Sequence, residues 1–171
     1  VFMGTPGVAV AVMEAVIDAG HDVIGVYTRP DRPAGRGRRP VAPEVKRSAL
    51  DRGIPVFQPA SLRRDEEARR HLVELAPDVI VVAAYGLFLP ADILESPPLH
   101  CLNVHPSLLP RHRGPSPVAT AVLNGDEATG VTVMRLDEGM DTGPIVAQEE
   151  TAIGPEETTE ELTARLFRMG A

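Results

Sequence analysis

The opening 28 residues constrain the fold more than any other stretch. Val1-Phe2-Met3 reads as the end of a strand running into the turn Gly4-Thr5-Pro6-Gly7. Val8 to Ala19 carries apolar residues at helical spacing and stops at Gly20, a residue common just past a helix end. Asp22 to Thr28 is a β-branched run that predicts a second strand. Together these make a βαβ unit, which calls for a parallel pair joined by a right-handed crossover. The alternation continues with a predicted helix over about 43–52, a strand over 54–57, a polar helix over 65–75 and a strand from Asp78 to Ala83. That last strand is nearly all Val, Ile and Ala, the composition of a central strand covered on both faces. Gly130 to Leu136 alternates as a strand and Pro144 to Gln148 as a returning one. Between them lies Asp137-Glu138-Gly139-Met140-Asp141-Thr142-Gly143, a turn with three carboxylates. A final helix is predicted from Thr158 to Met169, with Glu156 to Glu161 enriching the end where the helix dipole favours acids. The expectation is an α/β fold with a mostly parallel sheet and an antiparallel hairpin near the carboxyl end.

Several classes drop out early. Gly4-Thr5-Pro6-Gly7 is not the dinucleotide fingerprint, and Thr28 stands where a ribose-binding acid belongs, so no nicotinamide cofactor is expected. A length of 171 residues suits one domain. No apolar run is long enough to span a bilayer and no signal peptide is visible, so a soluble, intracellular protein is expected; a cytoplasmic monomer is a separate expectation that these observations do not decide. The single cysteine, Cys101, reads as a small core residue, and the histidines show no zinc-like spacing, so no metal is expected. The chain opens inside a strand and stops at Arg168-Met169-Gly170-Ala171, just after a helix, so a fragment with a truncated first strand is expected.

Chemistry concentrates in Cys101-Leu102-Asn103-Val104-His105-Pro106-Ser107-Leu108-Leu109-Pro110. In a strand Asn103 and His105 share one face, and Pro106 ends the strand by removing a donor. Ligands of open α/β sheets collect at the carboxyl ends of strands, although a buried, hydrogen-bonded Asn and His would read the same way. Tyr85-Gly86-Leu87-Phe88-Leu89 follows the Asp78 strand on the same edge, and suits either the lining of a flat ligand or the core. Residues 29–40 are nearly devoid of apolar content, and Arg29 to Arg47 holds seven basic residues against two acidic. That stretch carries +5 and the rest of this −7 chain −12. A basic loop on an acidic domain suits phosphates, and a solvated loop explains the composition equally.

Asn103, His105 and a loop carboxylate suit a tetrahedral intermediate: amide and imidazolium donate to an oxyanion while the carboxylate orients the ring. No serine or cysteine elbow is present, so direct transfer between two bound substrates is the simpler scheme. Asn103 through Pro110, followed by Gly139-Met140-Asp141-Thr142-Gly143, resembles the folate-dependent formyltransferases. The resemblance implies a Rossmann-like, doubly wound catalytic domain over residues 1–171, with 10-formyltetrahydrofolate as co-substrate and Asn103, His105 and Asp141 as catalytic groups. It implies folate contacts from Ser107, Leu108, Leu109 and Pro110, and a pterin border from Tyr85, Gly86, Leu87 and Leu89.

Gly4-Thr5-Pro6, the arginine loop and Arg111-His112-Arg113-Gly114-Pro115-Ser116-Pro117 are similar to the branch that formylates initiator methionyl-tRNA. That likeness implies tRNA contacts from Arg29, Arg32, Arg36, Arg38 and Arg39, with Arg36 central, and a further carboxyl-terminal barrel domain that is absent from this sequence. Two departures stand where the aminoacyl end is expected: Gly7-Val8 for the usual Asp-Phe, and Pro115-Ser116 for Ala-Ala. The alternatives are a formyltransferase acting on a nucleotide or amino-sugar amine, a formyltetrahydrofolate deformylase, and a non-enzymatic RNA-binding module.

Overall fold

The computed structural model describes residues 1–34 and 39–171. Strand β1 (Phe2–Gly4) feeds helix α1 (Val8–Asp18), whose Ala9, Val12 and Met13 form one buried stripe. Gly20 follows at φ +86°, the left-handed conformation that glycine adopts without strain. Strand β2 (Val26–Tyr27) returns parallel to β1. It is shorter than the predicted 22–28 because only Phe2 and Met3 of β1 stand opposite it. Then come β3 (Arg32–Ala34), β4 (Arg39–Val41), α2 (Glu44–Asp51) and the edge strand β5 (Val56–Phe57), which begins two residues later than expected.

Strands β3 and β4 correct the expectation of an irregular basic loop: its ends form an antiparallel ladder in which Pro33 faces Pro40. Two residues without N–H groups can face each other at a non-hydrogen-bonded pair, where the flanking residues carry the ladder. Helix α3 (Glu66–Glu74) starts at Asp65, whose carboxylate accepts from the Ala68 N–H. Strand β6 (Ile80–Ala83) leads to a short helix, α4 (Ala91–Leu94), which the sequence reading missed. Strand β7 (Cys101–His105) ends where Pro106 predicts. Helix α5 (Pro117–Leu123) has proline at its first position. Strand β8 (Ala128–Arg135) and strand β9 (Ile145–Ala152) make the hairpin, both longer than expected. Helix α6 (Thr159–Met169) opens on a capping box: Thr158 Oγ1 accepts from the Glu161 N–H while the Glu161 carboxylate accepts from the Thr158 N–H. Such a cap contributes about 1 kcal/mol.

The seven-stranded sheet runs β5-β2-β1-β6-β7-β8-β9. Five strands are mutually parallel; β8 runs antiparallel to β7, and β9 runs antiparallel to β8. Strand order reverses between β1 and β6, and there the loops following the two strands are tied by Thr5 Oγ1 donating to the Tyr85 carbonyl at 3.0 Å. Side-chain alternation divides the core. Phe2, Ala83 and Val104 face α1, α2 and α6, whereas Val1, Met3, Ile80, Val82 and Cys101 face α3 and α4. Helices thus cover both faces, as a doubly wound sheet requires. With period two, Asn103 and His105 follow Cys101 onto the α4 face.

Candidate active site

His105, the last residue of β7, is 4% exposed. Its Nε2 lies 3.1 Å from the His112 carbonyl oxygen, which can only accept, so Nε2 carries the hydrogen. Its Nδ1 lies 3.7 Å from Asp141 Oδ2. Asp141 sits at φ +52°, a conformation that Asp tolerates better than most side chains, and its Oδ2 also accepts the Gly114 N–H at 2.8 Å. The other carboxylates of that turn do different work. Asp137 accepts from Thr142 Oγ1 at 2.8 Å and from the Gly139 N–H at 3.0 Å, closing the turn on itself, while Glu138 borders a cleft. Asn103 stands half-buried two residues before His105 on the same strand face, in register with Val82 and Met134. The structure therefore brings the imidazole and the Asp141 carboxylate together, with the Asn103 amide one strand repeat away.

The cleft, of about 480 Å³, opens between α4 and the β8–β9 turn on this face. Ala91, Leu94, Leu136 and Pro144 give it apolar surface, and Glu95, Arg135, Asp137 and Glu138 supply polar groups. Its size falls within the usual range for small-ligand sites. Asp137 and Glu138 belong to the three-carboxylate turn noted in the sequence, and the other six were not singled out there. The signal was weak, because α4 is a single turn and Leu136 looks like any strand residue.

The turn after His105 is held from below. Thr132 Oγ1 donates to the Ser107 carbonyl at 2.6 Å and accepts from the Leu109 N–H at 3.2 Å. Gln148 Nε2 donates to the Leu109 carbonyl at 3.0 Å, and the Ser107 hydroxyl donates to the Arg111 carbonyl at 2.7 Å. Ser107 and Leu109 are buried, and Leu108 packs against Gly130, where a Cβ would overlap it. Pro110 is exposed after a cis Leu109–Pro110 bond. The side chains of Ser107, Leu108 and Leu109 thus serve the turn itself.

Tyr85 is buried, its hydroxyl pushed well above the usual range by burial, and among the described residues that hydroxyl has no hydrogen-bond partner. Leu87 and Leu89 pack against the α3/α4 side of the core. Gly86, at φ +75°, lies under Arg29, whose Nη1 would be 3.4 Å from a Cβ there. The Arg29 guanidinium therefore lies over the loop after β6. Arg32 is exposed on β3, Arg39 opens β4, and Arg36 and Arg38 lie outside the described residues. The base of the hairpin is clamped by Lys46 Nζ donating to both Asp31 oxygens, at 2.8 and 2.9 Å, with Gln58 Nε2 donating to Asp31 Oδ1 and to the Arg29 carbonyl. The Lys46 hydrogen bond holds the Asp31 carboxyl below its ordinary range.

Cys101 is fully buried and its thiol is pushed up to about 12 by burial, which fits a core residue. Among the described residues no group of three or more His, Cys, Asp and Glu side chains converges as metal ligands would, and no helix is long and apolar enough to cross a membrane.

A doubly wound sheet with an imidazole–carboxylate pair at the carboxyl edge of its strands, and a ligand-sized cleft lined by the turn that bears the carboxylate, is an arrangement suited to an α/β enzyme domain. The formyl transferase family matches residues 1–170, and the chain belongs to that family. It is 54% identical over 171 residues to methionyl-tRNA formyltransferase of Chloroflexus aggregans, all of this chain against 55% of that protein. The methionyl-tRNA formyltransferase of Marinobacter nauticus is 51% identical over 170 residues, 99% of this chain against 54% of the relative. The chain thus spans about half the length of these curated relatives. Among solved structures, phosphoribosylglycinamide formyltransferase from Bacillus halodurans superposes with a TM-score of 0.80 at 27% identity, over 99% of this chain and 87% of that one.

Proposed function

We propose that this chain is the formyl-transferring domain of a methionyl-tRNA formyltransferase. The α-amine of initiator methionyl-tRNA attacks the formyl carbon of 10-formyltetrahydrofolate, and the tetrahedral intermediate collapses to formylmethionyl-tRNA and tetrahydrofolate. The carrying observation is the His105–Asp141 pair, whose carboxylate is borne by the same turn that lines the cleft. Because Nε2–H is given to the His112 carbonyl, Nδ1 is the ring nitrogen left for the reaction. At 3.7 Å from Asp141 Oδ2 that nitrogen is within ion-pair range and beyond a direct hydrogen bond. Asn103 and the imidazolium of His105 donate to the oxyanion, and Asp141 balances the imidazolium, takes up the proton that the amine gives away and returns it to the departing folate nitrogen. The buried Cys101, with its raised thiol, supports transfer without a covalent acyl-enzyme.

The pteridine is assigned to the cleft between α4 and the β8–β9 turn, with Leu87 and Leu89 in the core cluster that includes its Leu94 and Leu136, and the expected folate contacts of Ser107 to Pro110 fall to their backbone. The choice of acceptor rests on the relatives' shared name and on the basic hairpin, where Arg32, Arg36, Arg38 and Arg39 would meet tRNA phosphates and Arg29 would meet the acceptor end. The reading includes a cytoplasmic monomer.

The test is formyl transfer to methionyl-tRNA by the full-length protein, with and without acceptor. Formate released without acceptor indicates a deformylase, and tRNA binding without folate binding indicates an RNA-binding module. In an active protein, Asn103→Ala is expected to lower kcat by about 10²–10³. Arg36→Ala is expected to weaken methionyl-tRNA without touching the folate KM, and an unchanged tRNA KM would remove the loop from the acceptor site.

A further inference from the structure

We infer that Asp126, in the loop between α5 and β8, is a positioning residue for the proposed reaction: it grips the imidazole of His112 and so aims the carbonyl that receives the His105 proton. His112 Nε2 lies 2.5 Å from Asp126 Oδ2, with both side chains largely buried at 12% and 14% exposure. Arg111 Nη2 reaches the same oxygen at 3.0 Å from the exposed side. The His112 hydrogen bond is the chief reason that the Asp126 carboxyl lies below its ordinary range. Helix α5 fixes the acid in turn, because the Asp126 N–H donates to the Ala121 carbonyl at 3.0 Å.

His112 needs such a grip. It stands at φ +53°, a left-handed conformation that costs a residue with a Cβ about 1–2 kcal/mol. Released, the residue would relax toward ordinary φ and its carbonyl would swing away from His105. In place, that carbonyl takes Nε2–H at 3.1 Å, fixing which ring nitrogen carries the proton and presenting Nδ1 to Asp141. Two residues on, the Gly114 N–H holds the Asp141 carboxylate at 2.8 Å. One short loop thus touches both members of the pair, and Asp126 is the carboxylate that holds its Arg111 and His112 side chains. A metal-bound histidine is oriented in the same way by its outer partner; here a peptide carbonyl does the orienting and Asp126 orients the peptide.

This inference rests on the function proposed above, so its test has a readout that needs no substrate. Nitrogen-15 chemical shifts of the His105 ring, recorded on the full-length protein, report which nitrogen carries hydrogen in the neutral form. Wild type is expected to show the Nε2–H form alone, and Asp126→Asn a mixture of both tautomers. In the transfer assay Asp126→Asn is expected to lower kcat about 10–100-fold with the folate KM within about threefold, and a melting curve on the same preparation separates this from a smaller folded fraction. His112→Phe should match it, and the double variant should lose no more than the worse single one, because both break one tether. Should Asp126→Asn fail to fold, His112→Phe carries the same two readouts. A single unchanged His105 tautomer together with wild-type kcat in either folded variant overturns the inference. An altered tautomer in a protein that transfers no formyl group leaves the tether standing and overturns the function.

Discussion

Asp141→Asn separates chemistry from architecture more cleanly than any other change at this site. Asparagine keeps the shape, tolerates the left-handed φ of +52° and retains an oxygen to accept the Gly114 N–H. The cost to stability is the difference between a charge-assisted and a neutral hydrogen bond, about 1 kcal/mol. For a domain of this size that lowers the melting temperature by about 2–4 °C. What disappears is the negative charge 3.7 Å from Nδ1. At an effective dielectric constant of about 20, that charge would stabilise an imidazolium by about 4 kcal/mol. With tenfold in rate for each 1.36 kcal/mol, the ceiling is about 10³ in kcat, and about 10²–10³ is expected. Steady-state transfer kinetics and a melting curve on the same preparation check both figures. Wild-type kcat with a normal melting curve would falsify the role of Asp141. A melting temperature lowered by tens of degrees would instead show that the carboxylate holds the turn and that the lost rate reports lost structure.

Three other perturbations test neighbouring parts of the argument. Gly143→Ala places a Cβ into the Arg135 carbonyl, so the turn must lift off β8; a loss of about 1–3 kcal/mol is expected by melting, with a matching fall in kcat as Asp141 moves. Arg32→Ala, on the exposed hairpin, is expected to weaken tRNA binding and reduce the salt dependence of the binding constant by about one ion, and a salt slope equal to wild type would take Arg32 out of the contact. Glu157 is held below the usual carboxylate range by Arg165, so its folded pKa lies beneath the unfolded value of about 4.3. Its stabilisation is complete above about pH 5 and lost as pH falls through the folded value. The melting-temperature gap between wild type and Glu157→Gln should therefore be open at pH 6 and narrow at pH 3.5, and a gap that widens on acidification would reverse the assigned sign.

The fold was legible where one local signal decided the matter. Pro106 removes a donor, so β7 ends at His105; Gly20 supplies a positive φ, so α1 stops before it. Strand lengths at the β5 edge were not legible, because a strand extends only as far as its neighbour pairs with it, and that neighbour lies elsewhere in the chain. The β3–β4 ladder was hidden for a related reason. Two prolines argue against a strand when each is considered alone, and only their facing register removes the objection.

The site divides along the same line. Asn103 and His105 could be paired from the sequence because a strand's period of two is a local rule. Of the three carboxylates in the 137–143 turn, no local rule chooses one, and resemblance alone pointed to Asp141. The structure gives the physical reason for the difference: Asp137 spends its oxygens on Thr142 and Gly139, while the positive φ at Asp141 turns that residue toward His105. His112 and Asp126 are further still from view, since they lie on either side of α5 and meet only after the helix has folded back. The residues proposed to meet the substrate sit at a strand end and in a glycine-flanked turn, where sequence patterns are strong. Those that aim them sit in ordinary loops, where only coordinates reveal the contact.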